Sequence, residues 1–148
     1  MKRKVVNEGK VTFLSLSRNE AFARTTAAAF AAQSDPTVEE VSAIKTAVSE
    51  AVTNAIVHGY RRGQGLVELT MRLYDDDTLY ISVKDKGEGI GDIQQAMEPM
   101  YTTAAPDEER SGLGFTVMQS FMDRVRVRSA VGKGTTVVLE KRLRGRAG

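Results

Sequence analysis

Leu79-Tyr80-Ile81-Ser82-Val83-Lys84-Asp85-Lys86-Gly87-Glu88-Gly89-Ile90 is the stretch on which the fold turns. Leu79, Ile81 and Val83 alternate with Tyr80, Ser82 and Lys84, the period of a strand with one buried face. Asp85 continues the apolar phase, so it points towards the core where the strand ends. Upstream, Val67, Leu69, Met71 and Leu73 alternate with Glu68, Thr70 and Arg72. Asp75-Asp76-Asp77 stands between the two runs as a polar turn, which predicts a hairpin.

Downstream, residues 86–112 lack periodicity and form a long loop region, with a short helix expected near 93–97. Loops of this length in a compact domain are usually functional. Residues 113–122 return to helix through Val117, Met118, Phe121 and Met122. Val125 and Val127 open a strand, Gly132 and Gly134 turn it, and Val137, Leu139 and Leu143 form the last one. On the upstream side a helix over 37–58 carries Val41, Ile44, Val48, Val52 and Ala55 at spacings of three and four. Thr37 and Glu40 have the capping-box spacing at its start. An earlier helix is expected from Ser17, boxed by Glu20 and anchored through Phe22 and Phe30, with Asp35-Pro36 ending it. Residues 10–16 read as the first strand. Paired strands with helices arriving between them imply an α+β sandwich: helices on one face of a mixed, mostly antiparallel sheet.

The chain has 148 residues, the length of one domain, 1–148, and 41% of them are hydrophobic. No cysteine is present, which excludes disulfides, thiolate metal sites and a cysteine nucleophile. One histidine, His58, leaves no multi-histidine metal centre. Basic residues gather at the ends: Lys2, Arg3 and Lys4, then Lys141, Arg142, Arg144 and Arg146. Residues 5–140 hold 14 basic and 19 acidic side chains, a net of −5, so the charge pattern is not that of a nucleic-acid reader. No run is long and apolar enough for a membrane span, and no signal peptide is evident, so the cytoplasm is the expected location. The basic tail from about 144 has no assigned role.

Three constellations carry chemistry. Asp85 is followed by Gly87 and Gly89, which let backbone approach a ligand where side chains would not. An inward carboxylate is costly unless hydrogen-bonded, so it suits a ligand amine in an apolar pocket; a solvated strand-ending turn is the other reading. Arg110-Ser111-Gly112-Leu113-Gly114-Phe115 precedes an apolar helix, and free amides at a helix start suit phosphate; flexible helix entry is the plainer alternative. Glu50 and Asn54 are one turn apart on a flank beside the apolar stripe, with Ala47 and His58 on the same side. The Asn54 amide oxygen suits Mg²⁺, and Glu50 suits proton acceptance from a hydroxyl or water; alone the pair also fits a solvated helix edge.

The order of the three resembles the GHKL superfamily of ATPases and kinases. Ser49-Glu50-Ala51-Val52-Thr53-Asn54-Ala55-Ile56-Val57-His58-Gly59-Tyr60 looks like its N box, Asp85 to Gly89 like its G1 box, and Arg110 to Phe115 like its G2 box. Thr135-Thr136 matches the strand closing the adenine pocket. Within that superfamily, Asn19-Glu20-Ala21-Phe22-Ala23-Arg24, the 49–60 run, Tyr101-Thr102-Thr103 and Glu109 to Phe115 closely resemble the anti-sigma F factor family of spore-forming bacteria.

The resemblance implies a Bergerat-type two-layer fold, a homodimer, bound ATP or ADP with Mg²⁺, and serine kinase activity. It implies two competing partners: a sporulation sigma factor, and an anti-anti-sigma factor phosphorylated on serine. Direct nucleic-acid and membrane contacts are not expected. Glu50 and Arg110 become the catalytic pair, and Asn54 the metal ligand. Asn54, Asp85, Gly87, Gly89, Thr102, Thr103, Ser111, Gly112, Leu113, Gly114 and Thr135 become the nucleotide contacts. Arg24 becomes the contact shared by both protein partners; two residues from an inward Phe22, it would face solvent. Residues 91–110 are expected to order around the triphosphate. If the first strand and helix make the dimer face, Phe13 and Leu14 are candidates, or else core.

A sensor histidine kinase would need an upstream helical hairpin with its phosphoacceptor histidine, and a gyrase-type ATPase a following transducer domain; neither is expected. A nucleotide-holding inhibitor without phosphotransfer, and a related stress-response anti-sigma kinase, are the remaining alternatives.

Overall fold

The computed structural model describes residues 3–60, 63–90 and 114–145. Five strands form one sheet: β1 (Val5–Leu14), β2 (Leu66–Tyr74), β3 (Thr78–Asp85), β4 (Arg124–Ala130) and β5 (Gly134–Arg142). Among the described residues three α-helices accompany them: α1 (Asn19–Ala31), α2 (Val38–Asn54) and α3 (Gly114–Phe121). The strand order is β1-β2-β3-β5-β4. Every pairing among the described residues is antiparallel, so the mostly antiparallel sheet expected is wholly so within them.

The β2–β3 hairpin forms as its alternation predicts, with Leu69 opposite Val83 and Met71 opposite Ile81. Its turn places Asp77 in the left-handed region (φ 64°), while the Asp76 carboxylate accepts from the Thr78 N–H at 3.0 Å. Leu69, Leu79, Ile81, Val83, Val137 and Leu139 are buried on the inner face. Ile44, Val48 and Val52 of α2 and Met118 of α3 meet them in the core. Burying each of these side chains contributes about 1.5–3 kcal/mol before entropy is counted.

The Thr37–Glu40 capping box forms in both directions: the Glu40 N–H donates to Thr37 Oγ1 (3.1 Å) and the Thr37 N–H to Glu40 Oε1 (2.9 Å). The same Glu40 carboxylate accepts from the backbone N–H groups of Arg144 and Gly145, at 2.6 and 3.2 Å. The buried stripe of α2 is Ala43, Ile44, Ala47, Val48, Ala51 and Val52; Ala47 belongs to it, and Val41 is only half-buried.

Two expectations for α1 are corrected. The Ser17 box does not form: the helix starts at Asn19 without a side-chain cap, and the Glu20 carboxylate turns to Arg24 instead, at 2.6 and 2.8 Å. Phe22 is not an inward anchor. It is 49% exposed, with its edge against Phe13, and Ala23, Ala27 and Ala31 make the buried stripe. Alanines at spacings of four bring this helix close to α2, which larger side chains would prevent. Of the two dimer-face candidates, Phe13 is core and Leu14 is exposed.

Candidate functional site

At the end of β3, Asp85 is 3% exposed on the inner face. Its Oδ1 accepts from the Gly87 N–H at 2.9 Å, and the Thr135 N–H also donates to the carboxylate. Burial pushes its pKa up from the ordinary aspartate value, and those two backbone bonds offset only part of that. The sequence placed this carboxylate inward, and there it lies.

The backbone around Asp85 is packed to the limit of what glycine permits. A Cβ on Gly87 would stand 1.7 Å from the Gly59 carbonyl oxygen, and one on Gly59 would stand 2.7 Å from the Asp85 carboxyl carbon. Gly89 has φ 79°, and a Cβ there would fall 2.1 Å from the Ala130 carbonyl oxygen. These glycines let two chain segments close on the carboxylate. Gly59 reaches it because α2 ends in a wider, five-residue turn, Ala55–Gly59, closed by the Tyr60 N–H on the Ala55 carbonyl at 3.1 Å. Such turns insert one residue and are frequent at functional sites. Tyr60 then ties the corner: its hydroxyl donates to the Leu66 carbonyl and accepts from the Lys86 N–H, both at 2.7 Å. A buried carboxylate in a cradle that forbids side chains fits a flat, amine-bearing ring.

Glu50 and Asn54 lie half-buried on the flank of α2, as their spacing predicts. A Cβ on Gly114, the first residue of α3, would be 3.5 Å from Glu50 Oε1, so the carboxylate sits beside the start of that helix. Among the described residues no group of three or more Asp, Glu, His or Cys side chains gathers as a metal cage. Thr135 is 4% exposed and pairs directly with Asp85 across the sheet. Arg24 lines one cavity of about 270 Å³ together with Lys45, Thr46, Ser49 and Glu50, closer to the other site residues than its place on α1 implied.

Thr102, Thr103, Arg110, Ser111, Gly112 and Leu113, and the segment 91–110, lie outside the described residues. Sequence reasoning missed the roles of Gly59, Tyr60 and Ser129. Ser129 had a signal: it continues the inward phase of Val125 and Val127, as Asp85 continues that of Val83.

Residues 14–141 match the histidine kinase-like ATPase domain family. The anti-sigma F factor of Clostridium beijerinckii is 54% identical over 137 residues, covering 92% of this chain and 94% of that protein. The anti-sigma F factor of Priestia megaterium is 49% identical over 138 residues, covering 93% of each. Among solved structures, the RsbU and RsbW domains of Rv1364c from Mycobacterium tuberculosis superpose with a TM-score of 0.68 at 20% identity, over 93% of this chain and 33% of that one, a likeness of fold. With residues 14–141, Asp85 and its glycine cradle among them, inside the matched domain and relatives about half identical over nine-tenths of the chain, the chain belongs to the anti-sigma F factor family of histidine kinase-like ATPase domains.

Proposed function

We propose that this protein is a cytoplasmic, single-domain partner switch that binds and inhibits a sporulation sigma factor and, as an ATP-dependent serine kinase, phosphorylates the competing anti-anti-sigma factor. The relatives carry the anti-sigma F name. The observation that carries the kinase half is the position of Glu50, half-buried, one turn before Asn54, with its carboxylate beside the start of α3.

When bound, Mg-ATP supplies the phosphoryl group. Asp85 holds the adenine amine, with Gly87, Gly89 and Thr135 shaping the pocket. Asn54 holds the cation. Glu50 accepts the proton of the incoming serine hydroxyl. Gly114, with Thr102, Thr103, Ser111, Gly112 and Leu113, completes the nucleotide contacts, and Arg110 meets the terminal phosphate. Mixing the protein with γ-labelled ATP and its anti-anti-sigma partner tests this reading: label on a partner serine is expected. Sigma binding without any transfer would instead support the inhibitor that holds nucleotide and transfers nothing.

Arg24 supports the switching half. Its guanidinium is half-exposed on α1, paired to Glu20 at the surface, where such pairs contribute little. Exposed arginine is enriched among interface hot spots. Arg24→Ala is expected to weaken both the sigma and anti-anti-sigma complexes by about tenfold or more at unchanged ATP affinity. Wild-type affinity for both partners, measured by calorimetry, would remove the shared contact.

The homodimer rests on the β1 side. β1 is an edge strand with Val5, Val6 and Leu14 exposed, and Phe22 and Leu66 add to its exposed apolar surface. Exposed apolar edge strands pair with other chains unless protected. Sedimentation velocity is expected to give twice the monomer mass, reverting to monomer in Val6→Glu. A monomeric wild type at micromolar concentration would overturn the dimer.

A further inference from the structure

Asp85, Thr135 and Ser129 stand in one row across β3, β5 and β4, since Asp85 pairs with Thr135 and Thr135 with Ser129. The Ser129 hydroxyl has three polar neighbours. The Ile90 N–H lies 2.6 Å away, the Gly134 carbonyl oxygen 3.0 Å and Thr135 Oγ1 2.8 Å.

A serine hydroxyl carries one proton and two lone pairs. The Ile90 N–H only donates, so it takes one lone pair. The Gly134 carbonyl only accepts, so it takes the proton. The contact with Thr135 is then made only if Thr135 donates. In this arrangement all three bonds of the half-buried Ser129 hydroxyl are satisfied. Thr135 has then spent its single proton on Ser129 and offers only lone pairs to its other neighbours. Asp85, beside it, accepts from the Gly87 and Thr135 N–H groups and, when ionised, likewise accepts only. The row thus presents two adjacent acceptors.

Resting on the adenine-nucleotide reading above, we propose that Ser129 is a specificity-determining positioning residue. It fixes Thr135 as an acceptor, so that the site selects a purine with an amino group at C6 over one with a keto oxygen there. An amino edge donates to both groups, directly or through a water. A keto oxygen there meets lone pairs on both, and only the ring proton beside it can still donate. Released from Ser129, Thr135 would rotate its hydroxyl and donate to the keto oxygen.

The test compares ADP with IDP, which differ only at C6 and its neighbouring ring proton, by calorimetry on the full chain. Wild type is expected to prefer ADP. Ser129→Ala is expected to lower the ADP-to-IDP affinity ratio by about tenfold, the scale of one reoriented hydrogen bond, and Ser129→Thr, which keeps the hydroxyl, to retain the ratio. In a Thr135→Val background, Ser129→Ala is expected to leave the ratio unmoved, which a general structural effect would not do. Ser129→Val, suited to a strand, answers the same question if the alanine variant fails to fold. An unchanged ratio in Ser129→Ala or Ser129→Val, or an equal change with Thr135 already removed, overturns the proposal. A wild type that binds neither nucleotide overturns the adenine reading instead.

Discussion

Glu50→Ala is expected to bind ATP and sigma factor normally while phosphate transfer to the anti-anti-sigma serine falls by about 10²–10⁴-fold, the usual cost of removing a general base. The carboxylate is half-buried on the flank of α2, beside the start of α3. A defect confined to the transfer step at saturating ATP separates a proton acceptor from a structural group. Asn54→Ala supplies the contrast, because loss of a cation ligand weakens Mg-dependent nucleotide binding itself. Wild-type transfer rates in Glu50→Ala, with ATP saturating, would make Glu50 structural.

Asp85→Ala is expected to weaken ATP binding by about 10–10²-fold, the range of a hydrogen bond to a charged acceptor. Calorimetry reads it directly, and unchanged affinity would remove Asp85 from the site. The same carboxylate has a second, opposite effect. Its folded pKa is raised by burial, so folding favours its protonated form. That contribution is fully present below the ordinary aspartate value and is lost as pH rises through the raised value. Above that raised value the ionised group works against folding. Asp85→Asn is expected to melt at a higher temperature than wild type at pH 7, with the gap closing towards about pH 4, near the unfolded aspartate value. A gap independent of pH would assign the gain to something other than the buried charge. On the reading proposed above, a carboxylate kept for a ligand costs stability while the ligand is absent.

What the sequence made legible follows physical period. Residues 67–73 and 79–85 alternate cleanly because one sheet face is covered, and both strands stand where the alternation put them. The stripe of α2 and its capping box were equally readable, since both are local. The first half of β1 was not: Val5 to Gly9 lies on an edge with mostly exposed side chains, so no apolar phase marks it. The face of α1 was misread because aromatic residues suggest burial, whereas Ala23, Ala27 and Ala31 achieve it by being small. Of the candidate site, Asp85, Glu50 and Asn54 were visible from phase. Gly59 was hidden because the wide turn at Ala55–Gly59 shifts the helical register, and no 3.6-residue template anticipates that shift.

The register between β3 and β5 has a kinetic consequence. Asp85 pairs with Thr135 across fifty positions of chain, while the β2–β3 and β4–β5 hairpins close over short turns. Local pairings of that kind form early, and non-local ones wait on costly loop closure. The row holding Asp85, Thr135 and Ser129 belongs to neither hairpin alone and exists only once the two have docked. On the reading proposed above, a nucleotide seated on that row would find no complete site in a half-formed chain. It would act as a late clasp, slowing the escape of the finished fold rather than hastening its arrival.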